Sequence, residues 1–109
     1  MKAAKIALIE DNDTVIELLT FMFSTSEYEL DVYKSPDSYI PHKGQHRWII
    51  SDWCFGGVNL DEYEELIDTE KLVLFSGSSA IKKIKHVAYL DKGGDSWEIL
   101  SCLRKLENR

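Results

Sequence analysis

The sequence predicts an α/β protein, a doubly wound sheet of five parallel strands, and three observations carry that prediction. Four short apolar runs, Ile6–Ile9, Trp48–Ile50, Leu72–Phe75 and Val87–Leu90, lack polar–apolar alternation, the pattern of strands buried on both faces. A fifth segment, Leu30-Asp31-Val32-Tyr33-Lys34, does alternate, which suits a half-exposed edge strand. About five helical stretches separate the strands, and a βα repeat of this kind packs helices on both faces of one parallel sheet.

Taken in order, the first strand runs into Glu10-Asp11-Asn12-Asp13, where Asn12 or Asp13 supplies the N-cap of a helix over Thr14–Ser24. That helix carries Val15, Leu18, Leu19 and Met22 on one face. Ile16 and Phe23, seven residues apart, fall outside this stripe, either as a second apolar strip for docking or as a wider buried face. After the edge strand, Ser35–Lys43 holds Pro36 and Pro41, so its helix is short. His42 and His46 lie in the polar connector and are read as solvated.

The third strand leads through Ser51-Asp52 into Trp53-Cys54-Phe55-Gly56-Gly57, then a brief acidic helix over Leu60–Ile67. The fourth ends at Ser76-Gly77-Ser78-Ser79, ahead of a short basic helix over Ser79–Lys85 whose Lys82, Lys83 and Lys85 form a solvated face or meet an acidic partner. The fifth ends in Asp91-Lys92-Gly93-Gly94. The last helix, Ser96–Leu106, places Ile99, Leu103 and Leu106 on its stripe. Trp97 falls off that stripe, either packed on the fifth strand or sharing an output face with Tyr89 and the Ile81–Ile84 region.

Bulk properties narrow the function. A chain of 109 residues reads as one domain over 1–109, with no output domain attached. No run approaches the roughly 18 apolar residues of a membrane span, and no signal-peptide pattern follows Met1, so a cytoplasmic protein is expected. The net charge of −6 argues against nucleic acid as a partner and favours a cation. Cys54 and Cys102 match no CxxC motif, and His42, His46 and His86 do not complete a zinc set, so both cysteines are read as buried structural thiols.

In an open parallel sheet, functional groups gather at the carboxyl ends of the strands. Those ends are Glu10-Asp11, Asp52, Ser76 and Asp91-Lys92. Two carboxylates about 4 Å apart repel by roughly 4 kcal/mol at an effective dielectric near 20, so three together raise their pKa values or hold a cation. Oxygen-only ligands at a partly open site suit Mg²⁺. A carboxylate beside such a metal is a competent nucleophile toward phosphorus, with Lys92 neutralising phosphate oxygens and Ser76 donating to them. Each piece alone also has an ordinary role: Glu10–Asp13 as helix capping, Asp52 as a turn residue, Ser76–Ser79 as a loop, Lys92-Gly93-Gly94 as a solvated turn. Their conjunction at successive strand ends is the signal.

These elements, Ile6-Ala7-Leu8-Ile9-Glu10-Asp11, Trp48-Ile49-Ile50-Ser51-Asp52, Leu72-Val73-Leu74-Phe75-Ser76-Gly77 and Tyr89-Leu90-Asp91-Lys92, resemble those of the receiver domains of bacterial response regulators over essentially the whole chain. The resemblance implies a flavodoxin-like sheet in the order 2-1-3-4-5. It implies Glu10, Asp11, Asp52 and the Cys54 backbone carbonyl as Mg²⁺ ligands, Asp52 as phosphoacceptor, Ser76 as switch hydroxyl, Lys92 as phosphate contact and Tyr89 as switch aromatic. It also implies a histidine kinase or histidine phosphotransfer protein as donor, an unknown output protein, and no enzyme beyond slow self-dephosphorylation. Three features depart from the family: Phe55-Gly56 replaces a frequent Met-Pro pair, Gly93 replaces the proline after the lysine, and the stretch from Ser76 to Lys92 leaves a shortened fourth helix. Two other readings stay open, a receiver-like interaction module that is never phosphorylated and a small phosphatase resembling the haloacid dehalogenases, with Asp11 as nucleophile and Asp13 as acid.

Overall fold

The computed structural model describes residues 4–77 and 84–108. Five parallel strands, β1 (Ala4–Ile9), β2 (Tyr28–Tyr33), β3 (Trp48–Ser51), β6 (Leu72–Ser76) and β7 (Ala88–Asp91), form one sheet in the order β2-β1-β3-β6-β7. Counting only these five gives the predicted order 2-1-3-4-5. The two intervening strands, β4 (Cys54–Phe55) and β5 (Val58–Asn59), pair with each other in a small antiparallel hairpin. Gly56 and Gly57 turn it with φ of 57° and 93°, the left-handed pair that a two-residue hairpin turn demands.

The sheet is covered on both faces, which is why its central strands read as continuous apolar runs. Ile6, Leu8, Ile50, Val73 and Phe75 meet α1 (Asp13–Ser24) and α3 (Glu98–Glu107) through Leu19, Met22, Phe23, Ile99 and Leu103. Ala7, Ile9, Ile49, Leu72 and Leu74 point the other way, onto Tyr39, Trp53, Phe55, Leu60 and Ile67. That second face is covered by short pieces: α2 (Pro36–Tyr39) with a 3₁₀ turn at Ile40–His42, and a 3₁₀ helix at Leu60–Leu66. Pro36 and Pro41 keep the first of these short, as expected. The acidic helix expected over Leu60–Ile67 is present in 3₁₀ form. The helix expected over Ser79–Lys85 falls mostly on residues outside those described.

Several expectations are corrected. Leu18 is 44% exposed and Phe21 67%, whereas Phe23 is buried and Ile16 packs against the core. The buried face of α1 is therefore rotated toward Val15, Ile16, Leu19, Met22 and Phe23, and Ile16 and Phe23 widen that face. The edge strand β2 does not alternate cleanly, because Leu30 packs on one core and Tyr33 on the other. Cys54 is exposed at the hairpin, and only Cys102 is partly buried, its thiol pushed up by burial.

His46 is not solvated. Its side chain is buried, with Nε2 2.9 Å from Asp31 Oδ2 and 3.3 Å from the Tyr33 hydroxyl. The aromatic rings of Tyr33 and Tyr39 close over it. A polar connector in sequence thus folds inward, because Asp31 and Tyr33 on the edge strand supply the partners a buried imidazole needs.

Candidate functional site at the carboxyl rim of the sheet

Strand register sets the site. Ile9 stands level with Ser51 in the adjacent parallel strands, so the residues that follow each, Glu10 and Asp52, leave the sheet side by side. Ser76 stands level with Asp91, which delivers Lys92 one residue beyond. Backbone bonds hold the exits in place: Glu10 N–H donates to the Tyr33 carbonyl, Asp52 N–H to Ile9, and Lys92 N–H to Ser76.

Glu10 is fully buried, Asp52 half-buried and Asp11 exposed. One carboxylate oxygen from each lies within 4.8 Å of the others, the one metal-competent group of its kind among the described residues. Lys92 Nζ sits between two of them, 2.7 Å from Glu10 Oε1 and 2.8 Å from Asp52 Oδ2. It also lies 5.8 Å over the Phe75 ring, a cation–π contact. The remaining oxygens are engaged by backbone: Asn12 N–H donates to Glu10 Oε2 and Trp53 N–H to Asp52 Oδ1, at 2.7 Å in the second case.

The electrostatics follow from this crowding. Burial raises the Glu10 carboxyl above its ordinary range, and the Asp52 charge adds to the rise; the proximity and charge of Lys92 offset only part of it. For Lys92, burial opposes the charged form, but its interactions with Asp52 and Glu10 prevail and raise it. One ammonium thus serves two carboxylates, with a third alongside.

A divalent cation fits this donor set. Glu10 Oε1 is buried and receives no well-directed hydrogen bond, although Lys92 Nζ is close. One ammonium shared between two carboxylates, with a third alongside, leaves negative charge for a further cation to balance. The three donors are hard oxygens, and the exposure of Asp11 leaves the site open for the waters that Mg²⁺ retains. Trp53, buried and bonded through its N–H to Asp52, should report such binding. Millimolar Mg²⁺ is expected to change Trp53 fluorescence saturably in wild type and not in Trp53→Phe, with the residual Trp48 and Trp97 signal constant.

The other residues singled out from sequence take distinct places. Ser76 is buried at the end of β6, and its carbonyl accepts a 2.8 Å hydrogen bond from the Tyr89 hydroxyl. Tyr89 is therefore turned toward the rim. Cys54 follows Trp53 in the hairpin beside the cluster. Asn12, not Asp13, caps α1, its Oδ1 accepting from Thr14 and Val15 N–H. Asp13 pairs with Lys34 at 2.8 Å, away from the role a phosphatase would give it. Trp97 is 49% exposed ahead of α3. Sequence reasoning missed the Trp53 N–H, which orients Asp52; no side-chain pattern signals a backbone donor.

No protein-family model and no curated protein sequence matches the chain. Solved structures do. The receiver domain of a Pseudomonas aeruginosa sensor histidine kinase, with a magnesium ion coordinated in its active-site cleft, superposes with a TM-score of 0.79 at 14% identity, covering 94% of this chain and 96% of that one. The Thermotoga maritima response regulator TrrA, in complex with Mg²⁺ and BeF, gives 0.78 at 20% identity, covering 97% and 99%. A chemotaxis response regulator of Vibrio cholerae gives 0.78 at 14% identity, covering 95% and 98%. The chain has the receiver fold.

Proposed function

We propose that this protein is a receiver that accepts a phosphoryl group on Asp52 and signals by changing conformation. The observation that carries the reading is the bridging of Glu10 and Asp52 by one lysine, beside Asp11, at the carboxyl rim of a receiver-fold sheet. The donor is a phosphohistidine on a histidine kinase or a histidine phosphotransfer protein. An Asp52 carboxylate oxygen attacks phosphorus, an O–P bond forms as the N–P bond breaks, and the leaving imidazole takes up a proton.

Glu10, Asp11, Asp52 and the Cys54 carbonyl are the residues for Mg²⁺, which when bound neutralises charge developing on the phosphoryl oxygens. This chain's own groups do the rest. Trp53 N–H and Lys92 Nζ hold the two oxygens of Asp52 in fixed directions, so little reorganisation precedes attack. Lys92 exchanges a carboxylate partner for a phosphoryl oxygen, a charge-assisted bond of similar kind. The new oxygens then draw on the Ser76 hydroxyl as donor, and Tyr89, already bonded to the Ser76 carbonyl, couples that movement to the edge of the sheet.

The setting proposed is cytoplasmic, in a relay to an output partner, with residues 1–109 acting as a unit and without enzymatic turnover beyond slow self-dephosphorylation. Nucleic acid is not among the proposed partners, and no helix among the described residues is long and apolar enough to cross a membrane. Beryllofluoride with Mg²⁺ tests the switch. Amide shifts at Ser76, Tyr89 and Lys92 are expected in wild type and absent in Asp52→Asn. Identical spectra for the two proteins would remove the proposal in favour of an interaction module that is never phosphorylated.

A further inference from the structure

Lys92 reaches the acidic cluster from the least supported exit of the sheet. Glu10 and Asp52 leave strands that have a neighbour on each side, whereas β7 is the outermost strand and has only β6 beside it among the described residues. The backbone bonds at the exits follow that difference, with 2.9 Å at Glu10, 3.1 Å at Asp52 and 3.3 Å at Lys92. Yet Lys92 Nζ stands 2.7 and 2.8 Å from two carboxylates at once. The chain runs on into Gly93 and Gly94, the residue type with the most backbone freedom to lose, and no proline ring restrains the turn.

Asp91 supplies the restraint. Its Oδ1 accepts from Gly93 N–H at 2.8 Å, and its carbonyl accepts from Gly94 N–H at 3.0 Å. An Asx turn is thus nested inside a backbone turn over residues 91–94, and Lys92 is the residue both enclose. Gly93 belongs to the same device. A Cβ there would lie 3.3 Å from Asp91 Oδ1, so glycine lets the backbone and the carboxylate approach without crowding. Asp91 itself is exposed and stands outside the metal-competent group of Glu10, Asp11 and Asp52. The turn is the use the structure gives its carboxylate.

We infer that Asp91 is a positioning residue, which holds the turn so that the Lys92 ammonium is aimed at Glu10 and Asp52. On the reading of Asp52 as phosphoacceptor, it aims the same ammonium at the incoming phosphoryl oxygens. The kinetic part rests on that reading, and the geometric part stands without phosphorylation. An ammonium that points away for part of the time neutralises less of the charge that develops during transfer, and the reaction slows.

Two variants test this. Asp91→Ala removes the acceptor, whereas Asp91→Asn keeps it, because an asparagine Oδ1 closes the same turn without the charge. The first measurement follows the Lys92 ammonium by NMR, in chelator. Wild type and Asp91→Asn should show a hydrogen-bonded Nζ with slowed hydrogen exchange, and Asp91→Ala a signal moved toward that of exposed lysines. The second is the rate of labelling by acetyl phosphate at saturating Mg²⁺. It should fall about threefold to tenfold in Asp91→Ala, the range one lost hydrogen bond sets, and return to within about twofold of wild type in Asp91→Asn. Urea unfolding separates positioning from general destabilisation, which would lower the midpoint and leave the folded-state Lys92 signal in place. A Lys92 signal unchanged in Asp91→Ala, or an Asp91→Asn variant as impaired as the alanine, would overturn the inference. A changed Lys92 signal with no labelling of any of the three proteins would support the positioning role and remove phosphoacceptance at Asp52.

Discussion

Lys92→Met is expected to destabilise the Mg²⁺-free protein by about 2–4 kcal/mol near neutral pH, a large fraction of the stability of a chain this size. The ammonium is the cation that balances a fully buried Glu10 and a half-buried Asp52 at 2.7 and 2.8 Å. Methionine fills the same path past Phe75 without the charge, so the loss reports electrostatics and not a cavity. The cost stays at the lower end because Lys92 is about a quarter exposed and Glu10 can take up a proton. Urea unfolding at several pH values checks this. The deficit should shrink on acidification, as Glu10 protonates, and Mg²⁺ should restore part of it near neutrality by supplying the missing charge.

Glu10→Gln is the complementary case, and its sign is opposite in the absence of metal. The folded carboxyl lies above its ordinary value, through burial first and the Asp52 charge next. A group raised in this way contributes stability that is complete below its unfolded value of 4.5 and is lost as pH rises through the folded value. Wild type in chelator should therefore lose stability across that window, while Glu10→Gln shows no such loss and matches or exceeds wild type at neutral pH. Mg²⁺ affinity should move the other way. The glutamine variant should bind at least about tenfold more weakly, and wild-type affinity should fall as pH drops, because a proton competes for the same oxygen. Urea denaturation with and without Mg²⁺ separates the two effects.

The fold was legible where burial is two-sided. Ile6–Ile9, Trp48–Ile50 and Leu72–Phe75 announced central parallel strands because both faces are covered, and strand ends then placed Glu10, Asp52 and Lys92 on one rim. The apolar periodicity of α1 was less decisive. Leu18 and Val15 both fit the stripe, and only the docking angle of the helix leaves Leu18 outside and turns Phe23 in. His46 was misread because its partners, Asp31 and Tyr33, are distant in sequence and give a buried imidazole its bonds only once the connector folds back. The hairpin closed by Gly56 and Gly57 was hidden by strands of two residues each.

The most direct measurement is mass spectrometric localisation of an acid-labile phosphoryl group after incubation with acetyl phosphate and Mg²⁺. One phosphoryl group on the peptide carrying Asp52, labile to hydroxylamine and missing from Asp52→Asn, is the predicted result. Labelling of Asp11, or no labelling under conditions where Trp53 fluorescence reports Mg²⁺ binding, would contradict phosphoacceptance at Asp52.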